Sequence, residues 1–109
     1  MKIKEEFQDS TGEEIWIRVI DFINESHKFS SVTGIEYSAK FVGNCIFLRG
    51  GKNGTKRADE GEYLTGKDFI NAYNNIKSFN EINTAVAKPY IRRQQTPFIG
   101  LLLSAGIIG

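Results

Sequence analysis

The chain has 109 residues, 40% of them hydrophobic and 25% charged, which suits one folded domain with a single core. Its lone cysteine, Cys45, excludes an intrachain disulfide, and its longest apolar stretch, Pro97 to Gly109, falls short of the about 20 residues that span a bilayer. The formal net charge of +1 is segregated: residues 1–27 carry −4, residues 28–58 carry +5, residues 59–83 carry −3 and residues 84–109 carry +3, a layout that can build a polyanion-binding face.

Residues 1–10 read as a flexible arm or an edge strand of a domain covering residues 1–109. They lack the apolar run of a leader peptide, and with Cys45 the only cysteine the reducing cytoplasm is the expected location. Ser10 stands three before Glu13, and Thr11 three before Glu14; either pair fits a capping box that starts a helix. Ile15, Trp16, Val19, Ile20, Phe22 and Ile23 then recur at helical spacing, predicting an amphipathic helix over 12–26 that His27 and Lys28 end.

From Ile35 to Phe41 the period switches to strict alternation. Gly43-Asn44 fits a two-residue type II′ turn, and Asn53-Gly54 fits a type I′ turn. Together they predict antiparallel strands at 35–42, 45–52 and 55–60, the outer one weakened by Gly50 and Gly51. The first turn sets the register: Val42 opposite Cys45, Phe41 opposite Ile46, Lys40 opposite Phe47, Ala39 opposite Leu48 and Ser38 opposite Arg49. Ile35, Tyr37, Ala39, Phe41, Ile46 and Leu48 then face the core, while Ser38, Lys40, Phe47 and Arg49 face away.

Thr65 three before Asp68, followed by Phe69, Tyr73, Ile76 and Phe79, predicts a helix over 66–79. Pro89 suits the first turn of a short helix over 89–95, and Thr96-Pro97 a cap and first helical position opening a helix over 97–105, with Gly106 after its end. The expected fold class is α+β: an N-terminal amphipathic helix, a two- or three-stranded antiparallel β-meander, then two or three helices on one side of the sheet.

Two basic segments carry the functional expectation. Arg49, Lys52, Asn53, Lys56 and Arg57 lie in a glycine-rich arm, where clustered cations reward phosphates by counterion release and glycines let the backbone come close. Lys88, Tyr90, Arg92, Arg93, Gln94 and Gln95 add cations, a ring and two amides ahead of the last helix. Lys40, Phe47 and Arg49 on one sheet face have the chemistry of a stacking platform for an unpaired base, unless a helix covers Phe47. Each has a plainer alternative: a solvated arm that guards an edge strand, core anchors beside an exposed turn, or a covered ring.

Enzymatic chemistry finds little in the chain. Gly61 to Asp68 approaches the phosphate-loop pattern, but Asp68 stands where a magnesium-binding hydroxyl belongs, and helix capping explains the same residues. His27 and Cys45 are each single, so no zinc set or Cys–His pair with spare partners can be drawn; no cofactor and no metal are expected. The expected function is contact with DNA or RNA. The competing expectation is a protein-interaction module or inhibitor acting through Glu5, Glu6, Asp9, Glu13 and Glu14.

Overall fold

Thr11, not Ser10, caps the first helix in the computed structural model, which describes residues 1–109. Its hydroxyl accepts from the Glu14 N–H at 3.2 Å, and the Glu14 carboxylate accepts from the Thr11 N–H at 2.9 Å. Helix α1 runs Gly12–Ser26 and ends where His27 takes left-handed backbone, φ 57°. The chain then enters a strand that the alternation did not announce, β1 (Lys28–Ser30). Three residues carry too short a pattern to read.

Strands β2 (Glu36–Val42) and β3 (Cys45–Gly50) pair in the predicted register, Val42 opposite Cys45 through Ser38 opposite Arg49. Gly43, at φ 63°, supplies the positive φ that the first turn position requires, and Asn44 does not share it. The Asn53-Gly54 hairpin does not form. Gly54 has φ 84° but Asn53 has no positive φ, so the turn is not type I′. Residues Lys56–Asp59 make a single helical turn, α2, whose cap is the Thr55 hydroxyl accepting from Ala58 N–H. The strand expected at 55–60 lies further on, as β4 (Glu62–Thr65), paired with β3. The sheet is therefore a four-stranded antiparallel meander in the order β1-β2-β3-β4.

Thr65 caps α3 (Gly66–Ile76), which stops short of the predicted Phe79. The segment from Asn80 onward holds one turn, α4 (Thr84–Ala87), capped by Asn83; residues 89–93 form turns, not a helix. The last helix, α5 (Gln95–Ser104), begins ahead of Thr96 and puts Pro97 at its third position, where its missing N–H still costs no helical bond.

Ile15, Trp16, Val19 and Ile23 of α1, Phe69, Tyr73 and Ile76 of α3, and Phe98, Leu101 and Leu102 of α5 join Phe29, Tyr37, Ala39, Ile46, Leu48 and Leu64 of the sheet in one cluster of 25 buried residues. Trp16 meets Phe41 edge-on at 6.3 Å and Phe69 at 5.1 Å. The long helices thus share one side of the sheet, as α+β packing predicts. Residues 1–10 form neither a loose arm nor a strand of this sheet. Ile3 bridges Ile108, a 3-10 turn spans Glu5–Phe7, and Phe7 is buried. No helix is long and apolar enough to cross a membrane.

Candidate functional site

The basic arm after β3 leaves the sheet at Gly50 and wraps into α2, and that turn brings it against the second basic segment. Arg57 is the joint. Its Nε donates to the Glu62 carboxylate on β4, and one Nη donates to the carbonyl of Arg93. The Arg57 side chain is only 19% exposed, so its fork is held in a fixed direction. Arg93 itself has left-handed backbone, φ 66°, a conformation that costs a non-glycine residue about 1–2 kcal/mol. The bond from Arg57 offsets part of that cost.

Around the joint lies a surface depression of about 370 Å³, lined by Lys52, Lys56, Arg57 and Arg93, with the hydroxyls of Thr55 and Thr96 and the apolar Ile35 and Tyr37 beside them. Four cations face one carboxylate, Glu62, which Arg57 already pairs. The structure thus brings together Lys52, Lys56, Arg57 and Arg93 from segments far apart in sequence. Asn53, exposed, sits at the tip of the same arm.

The remaining residues of the second segment divide. The Gln94 amide donates to the Tyr63 carbonyl at 2.9 Å, tying that segment to the outer edge of β4. Gln95 is turned inward, and its Oε1 is buried without a hydrogen-bond partner. Tyr90 is exposed and meets Phe79 edge-on at 6.4 Å, while Ile91 beside it is buried and anchors the turn. Lys88 and Arg92 are exposed and outside the depression.

The sheet face away from the core carries the other candidates. Lys40, Phe47 and Tyr63 stand in one row across β2, β3 and β4, and Lys28, Ser38 and Arg49 in the next. The Phe47 and Tyr63 rings lie 5.0 Å apart at an angle of 34°, and Lys40 Nζ is 5.9 Å from the Phe47 centroid, within cation–π reach. No long helix covers Phe47; the chain at Gly61 abuts its tip instead. A Cβ at Gly61 would stand 2.4 Å from Phe47 Cζ, and Gly61 has φ 80°, so both space and backbone call for glycine. His27, Ser38, Lys40, Phe47 and Arg49 line a shallow depression of about 400 Å³ on this face.

Tyr63 was missing from the candidates because Asn53-Gly54 drew the expected strand to 55–60. The signal that finds it is the short alternation Glu62-Tyr63-Leu64-Thr65 just ahead of a capped helix. No three His, Cys, Asp or Glu side chains gather in a way that could hold a metal ion. Set against models of known protein families, curated proteins and solved structures, the chain matches none.

Proposed function

We propose that this domain binds nucleic acid, with the basic depression between the two segments as a contact for the phosphate backbone. One observation carries the reading: Lys52, Lys56 and Arg93 converge on one depression, and the single acid there is already neutralised by Arg57. Cations gathered without competing carboxylates release counterions when they meet a polyanion, and this term dominates non-specific affinity. Arg57 acts as the positioning residue; Lys52, Lys56, Arg93 and the exposed Lys88 and Arg92 supply the contacts.

The test is a filter-binding or anisotropy titration across several salt concentrations, comparing the wild type with a Lys52→Ala, Lys56→Ala double variant. Loss of two phosphate contacts lowers affinity by a similar factor on every sequence and flattens the log–log salt slope by about 1.4–1.8. A wild type that binds neither DNA nor RNA at low salt overturns the reading.

A second reading rests on the opposite charge. Glu6 and Glu14 line a hollow with Phe7, Ser10, Arg18 and Ile17, and Ile17 is 57% exposed. An exposed aliphatic side chain beside two carboxylates suits a basic protein partner. Charge reversal at Glu6 and Glu14 weakens such a partner and leaves nucleic-acid binding unchanged or stronger.

A further inference from the structure

We propose that the bare face of the sheet is a stacking platform for unpaired bases, with Phe47 and Tyr63 as its rings, so that the ligand is single-stranded. The inference rests on the nucleic-acid reading above and narrows it to one class of ligand.

Tyr63 keeps 58% of its surface in water although it is a large ring, and it does so directly opposite Phe47. The Gly61 backbone abuts the tip of the Phe47 ring, the Tyr63 ring lies 5.0 Å from it, and Lys40 Nζ lies 5.9 Å from its centroid. The two rings therefore form one continuous aromatic surface. Tyr63, the more exposed ring, can offer a π-face to a base with Phe47 packed beside it, and this contact tolerates any sequence. A base inside a duplex already has both faces stacked on its neighbours, so only an unpaired base can take this place.

The charge of the face selects the same ligand. Its strand residues include Lys28, Lys40 and Arg49, and its one acid, Glu36, is paired to Lys28 at 3.7 Å. Ser38 stands between the two outer cations in their row. From Arg49 the chain reaches Lys52 in three residues, at most about 11 Å of extended backbone. The depression at Lys52, Lys56 and Arg93 lies at the end of the sheet on the side of Tyr37 and Glu62, so a strand whose bases lie on Phe47 and Tyr63 reaches it by turning round that end past Arg49. On one side those rings border the charged and hydroxyl row of Lys28, Ser38 and Arg49, and on the other the row of Val42, Cys45 and Thr65, so the platform has no continuous apolar rim.

The experiment is an anisotropy titration with labelled single strands of roughly ten nucleotides, DNA and RNA, and with a hairpin duplex of the same sequence. Single strands are expected to bind at least roughly tenfold more tightly than the duplex. Tyr63→Ala weakens single-strand binding by about 5- to 150-fold and leaves the salt slope unchanged, because a stacking contact is lost and no phosphate contact is. Tyr63→Trp restores the affinity, which separates a stacking role from a structural one. Equal affinity for duplex and single strand, or a Tyr63→Ala variant with wild-type affinity, overturns the proposal. If the wild type binds both forms equally while Lys52→Ala, Lys56→Ala weakens both, the platform fails and the nucleic-acid reading stands. If the wild type binds none of the three, both fail.

Discussion

Single side chains decide much of how this surface is held. Arg57 serves Glu62 and the Arg93 carbonyl with one fork, which a lysine cannot do. Arg57→Lys is therefore expected to keep the charge yet lose about 1–3 kcal/mol of stability, read from urea unfolding. Had the arm been a solvated hairpin, that substitution would be neutral. Gly61→Ala places a methyl against the Phe47 ring and forces an unfavourable backbone, so a loss of about 2–4 kcal/mol is expected. Truncating Phe47 in the same chain relieves the steric share, and a double-mutant cycle measures it. The Glu14 carboxylate is held below its ordinary value of 4.5, first by the Thr11 backbone N–H and then by the Thr11 hydroxyl. A depressed acid stabilises the fold above its unfolded pKa, and the gain is lost as pH falls through the lower folded value. Stability of a Glu14→Gln variant should accordingly vary less than wild type on acidification below pH 4.5, followed by circular dichroism.

Among the elements, those with a long period or a committed turn were legible. Helix α1 has the predicted bounds because its cap and its apolar stripe agree, and β2 and β3 have the predicted register because Gly43 can take the turn. The sequence misled where a strong local signal met a competing tertiary one. Asn53-Gly54 suits a hairpin, but Thr55 caps a helical turn and Arg57 then finds Glu62, so the strand begins seven residues later than the turn residues suggested. The basic segments were visible as composition, whereas their meeting depends on the Arg57 contacts, which no spacing encodes. A further contact of this kind sets α5 against β1. A Cβ on Gly100 would lie 2.9 Å from the Ser30 carbonyl, and the Ser104 hydroxyl accepts from the Ser30 N–H and donates to its carbonyl. Alanine for glycine in a helix normally gains up to about 1 kcal/mol. At Gly100 the sign is expected to reverse, with a net loss of about 1–3 kcal/mol on unfolding and with α5 displaced from β1.

At the scale of the whole molecule, charge and core are laid out by different parts of the chain. The C-terminal helix supplies Phe98, Ile99, Leu101 and Leu102 to the core, and Ile107 and Ile108 follow it inward. Truncation after Thr96 removes all of them and uncovers β1, so the product is expected to aggregate or to lose cooperative melting. A soluble fragment with a sharp thermal transition would show that the remaining layers form a core without it.

The first and last residues are stitched together: Lys2 exchanges hydrogen bonds with Gly109, and Lys4 N–H donates to the Ile107 carbonyl. This seam joins positions separated by nearly the whole sequence, so closing it carries a larger loop entropy than closing the local hairpin does. Under tension applied at residues 1 and 109, the same seam is loaded from one end, its bonds parting in succession and not together. The fold therefore opens like a zip at its ends, while the sheet that carries the rings and cations lies behind the last tooth.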